Sequence, residues 1–264
     1  MDSDKTSNIE KGKTKQFKSK GILDNIKSIQ ILRKICDQIQ KHKFYKLFNY
    51  NKNIQKKLNI DINDYKQFSE SIIKIKIIPK EYEFGTFINI NDKKDEAYFH
   101  IYFNGSENEI KRNYFDEDDE VTEIKIIIDY PIKSFYKLFK YCDCIESICF
   151  INFKRNNITN MSYMFSGCAS LKIIDFSDFN SINVTNMEKM FSYCPSLKEL
   201  NLSKFNTKNV INMNSMFEGC SSLEKLNLSN FNISMVKNME NMFSFCPKLK
   251  ELNHSNFSIN NKKK

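Results

Sequence analysis

Apolar and polar positions recur along the second half of the chain with a single period. Cysteines stand at 142, 168, 194, 220 and 246 and phenylalanines at 139, 165, 191, 217 and 243, so each step is 26 residues. A Leu or Ile recurs in the same phase at 145, 171, 197, 223 and 249. A fixed period of this kind marks a motif that buries its apolar side only by stacking on its neighbours. Two periodicities alternate inside each unit. In "NMEKMFSYC" (186–194), Met187, Met190, Phe191 and Cys194 lie at i, i+3, i+4 and i+7, which predicts one face of a short helix. Asn160, Asn186, Asn212 and Asn238 precede that segment as N-caps. "LKELNLSKFN" (197–206) then alternates in the L-x-x-L-x-L manner of a short strand followed by a turn. One helix and one strand per unit with this leucine spacing predict an α/β fold, a leucine-rich-repeat solenoid with a short parallel β-sheet and short convex helices.

Upstream the pattern changes. Ile22, Ile26, Ile29, Leu32, Ile35 and Ile39 trace a helix face, and "KFYKLFNYNKNIQKKL" (43–58) continues with further helical spacing. Residues 72–78, 84–90, 98–103 and 121–128 alternate as strands, with turn signals at "NDKKDE" (91–96) and "NGSEN" (104–108). "VTEIKI" (121–126) reads as an atypical first strand of the solenoid. The chain thus divides into a basic disordered tail (1–20), a helical segment (21–68), a β-rich N-terminal cap or small domain (71–130), and a solenoid of five 26-residue repeats (131–260).

The stretch "MFSGCASLKIIDFSDFNSINVTNMEKMFSYCPSLKELNLSKFNTKNVINM" resembles the BspA-like leucine-rich-repeat family, whose units run MF-x-x-C-x-S-L-x-x-L-x-L-S-x-F. The likeness covers 158–257 closely and 132–157 loosely. It implies the repeat fold and a binding surface, in proteins found both on cell surfaces and inside cells. Both ends depart from the unit: Leu138, Cys144, Cys149 and "KRNN" at the start, His254 and "NNKKK" at the finish. Polar ends are what capping repeats require. Weakly, "QILRKICDQIQKHKFYKLFNYNKNIQKKL" (30–58) is similar to the helical F-box module, though it lacks that module's early Leu-Pro pair.

Charge is unevenly placed. Residues 1–60 hold 15 Lys/Arg against 5 Asp/Glu, while the other 204 hold 26 against 27. A basic head on a neutral body offers a handle for nucleic acid or an acidic partner, or serves simply as a solubilising tail. The first residues lack the apolar core of a signal peptide, and the most apolar runs, "IIKIKII" (72–78) and "VTEIKIIID" (121–129), are too short to span a membrane. The expected setting is the cytoplasm, or the nucleus, where eight cysteines remain thiols.

Catalytic chemistry has no foothold in the sequence. His42, His100 and His254 fall in three separate segments, and the Gly-rich loops that cradle phosphate are absent. "DEDDE" (116–120) lacks the alternating ligands and glycine of a calcium loop. In-phase cysteines read as small core residues, because a linear ladder does not offer zinc four converging ligands. The expectation is a non-enzymatic scaffold, without cofactor, metal or small-molecule substrate, that binds a protein on the concave face of its sheet. The positions flanking the second leucine carry that face: Ile173 and Asp175, Glu199 and Asn201, Lys225 and Asn227, Glu251 and Asn253. The alternatives are an F-box-like substrate adaptor of a ubiquitin ligase, with 29–58 docking the ligase, and a cell-surface adhesion protein.

Overall fold

Alternation of Ile with Lys in "IKIKIIP" puts one side of a strand in the core and the other toward water. In the computed structural model this is β1 (Ile73–Pro79), whose Ile73, Ile75 and Ile77 are fully buried. The structure describes residues 28, 30–31, 52–59, 63, 66, 70–129 and 132–254. Residues 1–62 and 63–264 form two units. In the first, a short α1 (Lys52–Leu58) buries Ile54 and Leu58, four apart on one face. The basic tail, most of the helical segment and most of the F-box-like stretch lie outside the described residues.

In the second unit, β1 is followed by β2 (Gly85–Thr86), β3 (Phe99–Phe103), β4 (Tyr114–Phe115) and β5 (Ile124–Ile128). The repeats then supply β6 (Ile145–Asn152), β7 (Ile173–Asp175), β8 (Glu199–Asn201), β9 (Lys225–Leu228) and β10 (Glu251–His254). The first sheet has the order β3-β5-β1-β6-β7 and a second runs β10-β9-β8, while β2 and β4 form a two-stranded pair. β1 is antiparallel to β5 on one side and to β6 on the other, with Ile75 opposite both Ile126 and Phe150. The β-rich segment and the repeats therefore share one sheet and one core. β5, which carries the last three residues of "VTEIKI", does not begin the parallel run. It lies between the antiparallel strands β3 and β1, and the first pair of parallel strands is β6 with β7.

The predicted leucine-rich-repeat solenoid with a convex helix in each repeat is not what forms. Among the described residues of 132–254 there is no α-helix, and the parallel strands are divided between two sheets. The reason lies in where the amides point. In 186–194 the N–H groups of Met187, Lys189, Phe191 and Tyr193 donate to the carbonyls of Asn212, Asn214, Met216 and Glu218, in the next unit, at 2.6–2.9 Å. The intervening Met190 and Ser192 bond back to the nearby carbonyls of Met187 and Lys189. An α-helix would send all of them to the residue four earlier. To aim alternate amides outward, Lys189 and Tyr193 adopt φ of 50° and 55°, the left-handed region. The same scheme repeats at Tyr163 and Ser215, and the left-handed φ also at Asn241.

The inward set predicted for the helix is nevertheless the buried set: Met187, Met190, Phe191 and Cys194 are all fully buried. The asparagines expected as N-caps accept the same kind of bond without a helix behind them. Oδ1 of Asn160, Asn186, Asn212 and Asn238 each takes the N–H two residues on, at 2.9–3.1 Å. Consecutive members of this column are bridged in parallel, so it marks the registration of one unit on the next.

The hydrogen-bonded sheet ends at β7, and β8 begins the next one. Phe176 stands where the next units have Leu202 and Leu228. Its ring fills the space between Phe150, stacked at 5.5 Å, and Phe205, met edge-on at 4.9 Å.

The cysteines have a structural task in this arrangement. Sγ of Cys168, Cys194, Cys220 and Cys246 donates to the carbonyl of Phe139, Phe165, Phe191 and Phe217 respectively, at 2.9–3.0 Å. A small apolar side chain with one weak donor both fills the core and satisfies a carbonyl there. Burial, reinforced by the adjacent thiols, pushes Cys168 and Cys194 well above the usual thiol range, and burial pushes Cys144 up to about 12. Thiolate is the reactive form. With Ellman's reagent and mass-spectrometric assignment, Cys142, Cys168, Cys194 and Cys220 are expected to react only as the protein unfolds. The partly exposed Cys149 and Cys246 should react earlier. Rapid native labelling of the four buried thiols would contradict this packing.

Candidate functional site

Strand alternation turns the leucines of L-x-x-L-x-L inward and leaves the flanking positions outward. Leu200 and Leu226 are buried, and beside them Glu199, Asn201 and Lys225 are exposed, with Asn227 half-buried. Parallel pairing brings equivalent positions side by side: Glu199, Lys225 and Glu251 form one row, and Asn201, Asn227 and Asn253 a second. Ile173 and Asp175 occupy the corresponding places on β7 and are exposed too, but belong to the other sheet. An open depression of about 1350 Å³ runs across this face. Of the eight predicted residues, all but Asp175 line it.

The two rows differ chemically. Lys225 Nζ lies 3.4 Å from Glu199 and 3.9 Å from Glu251, and the bond to Glu199 holds its ammonium above the usual lysine range. Exposed pairs of this kind are screened by water and add little to stability. Within the asparagine row, Asn201 and Asn227 each accept a backbone N–H, from Ser203 and Ser229, at 3.0 Å. Asp175 does the same with Ser177, whose hydroxyl and amide hold its carboxyl below the usual range. The carbonyl half of this row therefore shapes the turn after each strand, leaving the amide half for contacts outside.

Sequence reasoning missed the third row. Lys172, Lys198 and Lys250, one position earlier, also line the depression, together with Ser196 and Ser222; in the remaining unit that place is taken by Glu224, which does not line it. Their signal was present in the recurring Leu-Lys of "LKII", "LKEL" and "LKEL". Lys172 is drawn to Glu146 at 2.6 Å.

The residues most like a catalytic set lie elsewhere and are closed to ligand. His100 Nδ1 is 2.8 Å from Glu109 and its Nε2 3.3 Å from Asp129, with side-chain exposures of 0%, 9% and 6%. Among the described residues, no group of three or more His, Cys, Asp or Glu is placed to hold a metal ion. No helix among them is long and apolar enough to cross a membrane.

Residues 132–264 match the family model described as Mycoplasma protein of unknown function, DUF285. The chain belongs to this family. The DUF285 match begins at the first rung of the parallel run, where Ser134 bridges Asn160. It therefore takes in the stacked units and leaves out the antiparallel strands β1–β5. Comparison of this DUF285 chain with curated proteins and with solved structures yields no match.

Proposed function

We propose that the stacked units serve as a non-enzymatic binding surface for a protein partner, held across the outward face of β7–β10. The observation that carries this reading is the open depression itself, lined in order by lysine, alternating Glu-Lys-Glu and asparagine rows. Its columns present lysines interrupted once by Glu224, paired charges, and amide donors, with neighbouring strands about 4.8 Å apart. Such a lattice matches the alternating side chains and backbone carbonyls of an extended polypeptide. Electrostatic complementarity of this kind contributes selectivity and association rate more than affinity.

Site-specific photo-crosslinking tests the reading. With a photoreactive residue in place of Asn227, a discrete protein adduct is expected in extract of the native cell. The same residue at Lys204, which does not line the depression, should give none. Lys225→Glu, which makes the central row uniformly acidic, is expected to reduce the Asn227 adduct roughly tenfold. Equal adducts from both sites, or no effect of Lys225→Glu, would defeat the proposal.

A further inference from the structure

A second surface of the stacked units has a separate character. Tyr141, Gly167, Tyr193, Gly219 and Phe245 occupy successive rungs of one column, each 26 residues from the last. The N–H groups of the first four donate to Ser166, Ser192, Glu218 and Ser244 of the following unit, at 2.6–3.0 Å. All five residues have left-handed backbone, with φ between 55° and 76°. Glycine adopts that conformation freely, whereas for a bulky residue it is an outlier. Aromatic residues are thus held on alternate rungs in a conformation that costs free energy. Burial does not offset that cost, because Tyr141, Tyr193 and Phe245 are 65%, 52% and 74% exposed. The outward-turned amides impose this backbone in every unit; what sets this column apart is that its large rings face solvent.

The alternation with glycine sets the spacing. A Cβ on Gly167 would lie 2.2 Å from Cδ1 of Tyr141, and one on Gly219 would lie 2.6 Å from Cδ1 of Tyr193. Rings therefore fit on every second rung and no more closely. Rungs are about 4.8 Å apart, so the rings repeat at about 10 Å. Polar groups accompany them: Lys140 Nζ sits 4.6 Å from the Tyr141 ring, and Glu218 accepts from the Tyr193 hydroxyl at 3.1 Å.

We propose that this row of rings is a binding platform for an extended, β-linked polysaccharide. A pyranose has an apolar C–H face that rests on an aromatic ring, and hydroxyl edges that need hydrogen-bond partners. In an extended β-linked chain each sugar is turned over relative to its neighbour. Equivalent faces return at every second sugar, a repeat of the same order as that of the rings. Glu218 accepts from sugar hydroxyls and Lys140 donates to them. A single-stranded nucleic acid fits less well: its stacked bases are about 3.4 Å apart, and its phosphates would meet the Glu218 carboxylate.

The test is retention of the full chain on insoluble chitin and on microcrystalline cellulose, at an ionic strength that screens the basic N-terminal segment. Labelled oligo(dT) serves as the competing probe. Retention on at least one polysaccharide is expected. The triple variant Tyr141→Ala/Tyr193→Ala/Phe245→Ala should lose roughly tenfold or more, with its circular dichroism unchanged. Tyr193→Phe, which keeps the ring, should be retained nearly as well, and Lys204→Ala fully. Retention on neither polysaccharide overturns the proposal. So does retention that the triple variant does not diminish, or binding of oligo(dT) alone.

Discussion

Phe191→Ala is expected to lower the stability of the chain by about 3–5 kcal/mol, the cost of emptying a packed aromatic site. Phe191 is fully buried, and its ring is stacked between Phe165 at 5.5 Å and Phe217 at 5.6 Å, with Phe176 edge-on at 6.0 Å. Truncation therefore damages contacts to both neighbouring units. Phe243 is the control. It occupies the equivalent place in the last described unit, is only partly buried, and stacks on Phe217 at 5.7 Å. Phe243→Ala should cost less, by at least about 1 kcal/mol, because a damaged end relaxes more readily than a damaged middle. Urea midpoints of the two variants against the parent chain decide the matter. Equal losses, or the reverse order, would show that the units do not share load as stacked neighbours.

Ile75→Ala should cost about 2–5 kcal/mol and reveal how the antiparallel strands are joined to the repeats. Ile75 is fully buried on the strand that pairs with both β5 and β6, opposite Ile126 and Phe150. Since one sheet and one core span residues 73–175, damage here should loosen both sides together. The chain has no tryptophan, so tyrosine fluorescence and far-ultraviolet circular dichroism are the two probes. Their urea transitions in Ile75→Ala are expected to coincide and shift in parallel, as in a cooperative unit. Separate transitions, with only one shifted, would mean that β1–β5 and the repeats fold independently.

Much of the interior was legible from spacing. The 26-residue phase picks out Met187, Met190, Phe191, Cys194, Leu197, Leu200 and Leu202, and all of them are buried. The outward rows were legible as well, because alternation about a buried leucine leaves no freedom over which side chains face solvent. Glu199, Lys225 and Glu251 had to share a face once the strands aligned at equal phase. The backbone course of the segments read as helices was not legible. A run with apolar residues at i, i+3, i+4 and i+7 buries the same side chains whether it coils as an α-helix or makes tight turns with every second amide turned outward. Nothing in "NMEKMFSYC" by itself distinguishes the two.

The sequence by itself determined the repeat length, the identity of the core residues and the rows of polar side chains that the strands display. All three follow from side-chain hydrophobicity and period, which are properties of the chain alone. Tertiary structure decided where the backbone amides of each unit find their acceptors, and with that the backbone conformation. The N–H of Phe191 bonds to Met216, a partner that exists only when the next unit is in place. Stacking likewise decided that the parallel strands divide between β7 and β8, that β1 enters between β5 and β6, and that aromatic rings and glycines alternate on one exposed column. Each of these depends on the shape of a neighbour supplied by residues far away in the chain, which no local pattern encodes.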